Sequence, residues 1–397
     1  MRRILPTIPA IFLLWIAGPL AGCGADTDGT DEPVVINSDT GGQADAGPIG
    51  GDDTGNTMAK MDSSSTTDTG SMSDSSGGTD TNGSKDTGSR DTGSKQDTSM
   101  MANVPEVDPK CVDGKYSEPL PNAGANISSE MSNYSSSQLQ SFVLSVLKKR
   151  YSVGEWLVDQ AVKNYSRTNC IERFSRNTGS ATGVIGDLST IVHECGHLFD
   201  LSMRSRSGNS YAVTRNLTIT CSGGATKASG GQTFPRSELY NDSYQSKHPP
   251  CGGGAGRNCD SYADIYLDPS RRGSDQGFNM VLEEAYQYVN SLATSYAFKD
   301  KMSRSTSAMD GILTFLWYVE RYLYLARTKH PQAYKKLTQD ACWRKAILTM
   351  WGRAWLMLDA AKNYNKLGIS EQKLFGLVRD KTLLKEIERL RTAHGCP

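Results

Sequence analysis

Apolar side chains recur at helical spacing over most of the chain beyond residue 130. In SSSQLQSFVLSVLKKRY, Leu139, Phe142, Val143, Val146 and Leu147 fall three or four apart behind serines able to cap a helix. GEWLVDQAVKNY repeats the pattern with Trp156, Leu157, Ala161 and Val162, and the stretch 187–202 does so with Leu188, Ile191, Val192 and Leu198, where Asp187 or Ser189 can act as the cap. Beyond residue 275 the pattern predicts helices over 277–298, 306–328, 331–337, 340–362, 370–378 and 380–393. The segment 340–362 carries Trp343, Ile347, Met350, Trp351, Ala354 and Leu358 on one wide face, the signature of core packing. Alternation is confined to YAVTRNLTITCSG, the best strand candidate, with a short strand expected at DSYADIYL. The stretch 223–273 is rich in Gly, Pro, Ser and Asn and reads as a long loop region. The expected fold is mainly α, an α+β chain with a small sheet, over residues 101–397.

The first hundred residues change that picture. MRRILPTIPAIFLLWIAGPLAGC places two arginines before an apolar run too short to cross a bilayer, the order of a secretory signal. Leu20-Ala21-Gly22-Cys23 resembles the lipobox of bacterial lipoproteins. The resemblance implies that 1–22 is a signal peptide and that Cys23 becomes a lipidated N-terminus outside the cytoplasm. Gly24 in the position after the cysteine leans towards an outer membrane or cell surface. Residues 24–100 contain no Phe, Trp or Tyr and hold fourteen Asp and one Glu against four Lys or Arg. Such a segment has too little apolar surface to offset its chain entropy, so 23–100 is expected to be a disordered Ser/Thr/Gly/Asp-rich tether. The overall neutrality therefore hides 37 basic and 28 acidic residues over 101–397. No nucleic-acid motif or basic stripe interleaved with aromatics accompanies that excess, so no nucleic-acid partner is expected. Eight cysteines besides Cys23 predict disulfides in an exported chain, with Cys251–Cys259 across CGGGAGRNC as the one pair suggested by spacing.

The chemistry concentrates in TIVHECGHLFD, residues 190–200, which holds two of the five histidines. On a helix, His193 and His197 sit one turn apart on one face, where two imidazoles can bind one Zn²⁺. Glu194 lies beside such a metal, placed to take a proton from an activated water and hand it to a leaving amine. Cys195 points off that face, which suits a disulfide or a buried thiol behind the helix.

The stretch resembles the active-site helix of the zincin metallopeptidases, His-Glu-x-x-His. The resemblance covers about a dozen residues and implies His193 and His197 as zinc ligands and Glu194 as general base. The residues after His197 exclude the metzincin continuation. The gluzincin pattern takes a glutamate from a second helix, and NMVLEEAYQYVNSLATSYAF offers Glu284 as third ligand, with Glu283 as fallback. The aspartate-using pattern leaves Asp260 or Asp264 as a minor alternative. Whichever glutamate is not a ligand, or Asp200, is expected to orient an imidazole, and Tyr286 and Tyr288 are candidate donors to a developing oxyanion. Some 86 residues lie between His197 and Glu284, more than in thermolysin-like enzymes, so their overall fold is not implied. The expected function is a membrane-anchored extracytoplasmic zinc metallopeptidase acting on protein or peptide substrates. The same chemistry on another amide, such as a cell-wall crosslink, and a non-catalytic envelope lipoprotein serving as scaffold or adhesion module are the alternatives.

Overall fold

A computed structural model of the chain describes residues 118–204, 208–248, 261–271 and 273–396. The expected signal peptide, Cys23, the tether, the Cys251–Cys259 pair and Asp260 lie outside these residues. The elements run α1 (Ser128–Ser132), α2 (Leu139–Arg150), α3 (Ser152–Asn164), α4 (Cys170–Phe174), α5 (Ala181–Met203), β1 (Gly208–Thr214), β2 (Leu217–Ser222), α6 (Ser261–Tyr266), α7 (Phe278–Ala297), α8 (Ala308–Lys329), α9 (Pro331–Gln339), α10 (Ala341–Ala361), α11 (Glu371–Val378) and α12 (Lys381–His394). The fold is mainly α with one two-stranded antiparallel sheet. Among the described residues no helix is long and apolar enough to cross a membrane.

Helix α7 is the centre of the packing. It lies against α5 on one side and against α8 and α10 on others, and every residue in it except Tyr296 is buried. Its neighbours match the periodicity of their sequences: α10 buries Trp343, Ile347, Met350, Trp351, Ala354 and Leu358 within one continuous core. Two disulfides lie wholly among the described residues, Cys170–Cys195 and Cys221–Cys342, and fasten α4 to α5 and β2 to α10. They join residues 25 and 121 apart in sequence, which restricts the unfolded chain and fits an oxidising compartment.

Three local expectations are corrected. Helix α5 begins at Ala181, and its cap is Ser180, whose side chain accepts from the Gly183 amide. Asp187 sits inside the helix and instead accepts from the Arg176 and Asn177 amides of the preceding loop. The segment around DSYADIYL forms helix α6 rather than a strand, with Ala263 buried in it and Leu267, four residues on and just past its end, buried on the same side. The single strand candidate divides at Arg215-Asn216 into a hairpin, and β1 is buried throughout, with Tyr211 stacked on Tyr286 of α7.

Candidate metal centre

Helix α5 buries Leu188, Ile191, Val192 and Cys195 against its neighbours and turns His193 and His197 towards α7. The two helices approach closely because Gly196 faces Gln287: a Cβ built on Gly196 would stand 2.0 Å from Gln287 Oε1. Gln287 cannot simply swing away. Its Nε2 donates to Asp200 Oδ2 at 2.9 Å, and its Oε1 accepts from Asn290 Nδ2 at 2.9 Å. Asn290 is held in turn by Tyr151 and by Arg353, which forms a buried ion pair with Glu118.

At this interface three donor atoms converge. His193 Nε2 and His197 Nε2 lie 3.1 Å apart, and Glu284 Oε2 is 3.5 and 3.2 Å from them. The other ring nitrogens are engaged: His193 Nδ1 meets Ser291 Oγ at 3.1 Å and His197 Nδ1 meets Glu283 Oε1 at 3.2 Å. With Nδ1–H donated to those oxygens, both Nε2 lone pairs point at the shared centre. Glu284 Oε2 is buried there, and its near polar neighbours are the two Nε2 atoms, a gathering of lone pairs that suits a cation. Tetrahedral binding at the zinc–ligand length of about 2.0–2.1 Å needs donor–donor edges of about 3.3 Å, in line with the three distances above. His193, His197 and Glu284 form a group able to hold a metal ion.

The electrostatics follow from burial and proximity. Burial pushes the Glu284 carboxyl up, but His197 and the contacts to both imidazoles outweigh it and hold the group below the usual carboxylate range. Burial pulls His197 down, while Glu284 and Glu283 more than restore it, so this imidazole binds a proton more tightly than usual. A bound cation replaces that proton. Glu283 is neutralised from the far side by Arg204. Glu194 is only partly buried, and among the described residues it has no hydrogen-bond or ion-pair partner. Burial raises its carboxyl, opposed by His193 and His197 and supported by Glu284.

Other expected residues lie elsewhere. Tyr286 donates to the Ala346 carbonyl at 2.7 Å and faces α10, so it is no oxyanion donor; its position on α7 carries it away from Glu284. Tyr288 stays close, with its ring 4.8 Å from that of His193 and its hydroxyl 3.1 Å from Tyr266. Asp200 does not touch an imidazole: it accepts from the Ala212 amide and from Gln287, so it ties α5 to β1 and α7. Asp264 accepts from Tyr240 at 2.9 Å and is not part of the metal-binding group. Sequence reasoning missed Ser291, Gln287 and Arg204. The first two were open to inspection, since Glu284, Gln287 and Ser291 follow helical spacing in an otherwise apolar helix; nothing near Arg204 marks it. Comparison of the chain with protein-family models, with curated proteins and with solved structures finds no match in any of the three.

Proposed function

We propose that the protein is a zinc-dependent peptidase held on a membrane, outside the cytoplasm, through a lipidated Cys23. The observation that carries the reading is the convergence of His193 Nε2, His197 Nε2 and Glu284 Oε2 on one buried point, with Glu194 next to His193 on the same helix. Two imidazoles and a carboxylate are the donor set of hydrolytic zinc sites, which keep a further position open. Bound there, Zn²⁺ would supply Lewis acidity that polarises a peptide carbonyl and acidifies water.

The side chains do the rest. Ser291 and Glu283 hold the two imidazoles in the tautomer that presents Nε2. Glu194 takes a proton from the attacking water as its oxygen adds to the carbonyl carbon. The same carboxyl returns that proton to the amine nitrogen as the C–N bond breaks, so the two peptide halves leave as acid and amine. No side chain competes for Glu194 among the described residues, which leaves it available for the transfer. The signal-like start, the lipobox-like Leu20-Ala21-Gly22-Cys23 and the acidic stretch 24–100 support a domain held outside the cytoplasm on a long leash, suited to protein or peptide substrates in the surrounding medium.

The test uses the full mature chain. Metal analysis should give one zinc per molecule, and Glu194→Gln should keep that zinc while peptide cleavage falls by about a hundredfold or more. Zinc-free native protein, or undiminished cleavage by Glu194→Gln, would overturn the reading. Cys23→Ala should release the protein from membranes into the soluble fraction.

A further inference from the structure

Among the described residues four arginines are buried to below a tenth of their surface: Arg150, Arg236, Arg321 and Arg353. Three of them hold carboxylates, Arg150 with Asp300, Arg321 with Asp242 and Arg353 with Glu118. Arg236 differs. Among the described residues it has no ion pair and no side-chain hydrogen bond, and its Nε and Nη1 are buried without a partner. A buried guanidinium left in that state is strongly unfavourable unless something supplies the missing acceptor.

Its position says what that acceptor belongs to. The guanidinium lies over the ring of Tyr266, 5.6 Å from its centre. The Tyr266 hydroxyl is 3.1 Å from that of Tyr288, and the Tyr288 ring packs on His193. Arg236 thus stands one tyrosine pair away from the metal centre. The carboxylate that most strongly favours its charge is Glu284, the metal-facing glutamate, although burial outweighs it and weakens the hold on the proton. The backbone under it is rigid: the Arg236 amide donates to Gln276 at 2.8 Å, the Ser237 amide to Ser274 at 3.1 Å, and Tyr240 of the same turn bonds Asp264 of α6. The side chain is therefore presented from a fixed loop towards the site, with its fork unfilled.

We propose that Arg236 receives a carboxylate of the peptide substrate and so sets the specificity of the metal centre. This rests on the peptidase reading above. A planar guanidinium with unmet donors matches a carboxylate in a two-point contact, which orients as well as attracts. The carboxylate is either the C-terminal group of the substrate or an Asp or Glu side chain beside the scissile bond. Arg236 is a binding residue here, and the bond-breaking step remains with Glu194.

Two pairs of peptides separate the sources: one sequence ending in a free carboxylate or a carboxamide, and one carrying Glu or Gln next to the cleaved bond. With the full mature chain loaded with zinc, the acid member of one pair should be cleaved about tenfold or more faster in kcat/KM. In Arg236→Gln that ratio should collapse towards unity, chiefly through KM for the acid member, and in Arg236→Lys it should fall part way. Succinate and succinamide provide a readout without turnover. By calorimetry, wild type should bind succinate over succinamide, with and without zinc, and Arg236→Gln should lose that preference. An acid preference that survives in Arg236→Gln, or wild type with neither a peptide preference nor succinate binding, overturns the proposal. Absence of zinc from wild type would overturn the peptidase reading alone, because succinate binding to the metal-free chain still reads Arg236.

Discussion

Two buried glutamates, on neighbouring helices, have opposite fates. Glu284 on α7 sits between two imidazoles and is held ionised below the ordinary carboxylate range. Glu320 on α8 is fully buried, and neither of its oxygens has a hydrogen-bond partner among the described residues. Burial, with a smaller push from Asp380, raises its carboxyl well above the usual value, so this group keeps its proton. The α5–α7 layer therefore gathers ionisable side chains able to hold a cation, while the α8–α10 side, with Trp317, Trp343 and Trp351 fully buried, is built for packing. Burial beside two imidazoles leaves one carboxyl ionised, and burial in the packed layer leaves the other protonated.

Substitutions on the two sides should separate cleanly. The largest effect is expected from Glu284→Ala, which removes one of three protein ligands: zinc should fail to co-purify, while circular dichroism still shows a helical fold. Retained stoichiometric zinc would detach Glu284 from the centre. Next is Trp351→Ala in the packed layer, expected to lower unfolding free energy by about 3–5 kcal/mol in denaturant titrations. Zinc content of the remaining native protein should be normal, so a joint loss of zinc would show that the layers are not separable.

Glu283→Ala probes the support behind the ligands. It removes the Glu283 contact to His197 Nδ1 and to Arg204, and should weaken zinc affinity by about 10–100-fold in competition with a chelator. The smallest change belongs to Glu320→Gln, which takes away a carboxyl whose folded form already favours the proton. The sign follows from that raised value: wild type is favoured at acid pH, and its stability falls as pH rises above the unfolded glutamate value. Melting temperatures of Glu320→Gln should equal or exceed wild type at pH 8, with the gap narrowing as pH approaches about 4.3. A marked loss of stability at pH 8 would mean that the Glu320 carboxylate is ionised and paired.

Sequence alone determined the helices and the local chemistry on them, because both depend on residues within a turn or two of each other. The apolar stripes of α2, α5, α7 and α10 foretold buried faces, and HECGH placed His193 and His197 together through the helical repeat. Two glutamates in the apolar run of α7 signalled that a cation or donors must meet them. The choice between those glutamates was not legible. Glu284 and Glu283 are neighbours in sequence, and only the rotation of α7 against α5, set by Gln287 on Gly196, aims the first between the imidazoles and the second behind His197. The pairing of Cys170 with Cys195 and of Cys221 with Cys342, the use of Ser291 and Arg204, and the approach of Arg236 to Tyr266 likewise join residues far apart in the chain. Such contacts follow from how helices pack as whole bodies, and residue spacing carries no record of that.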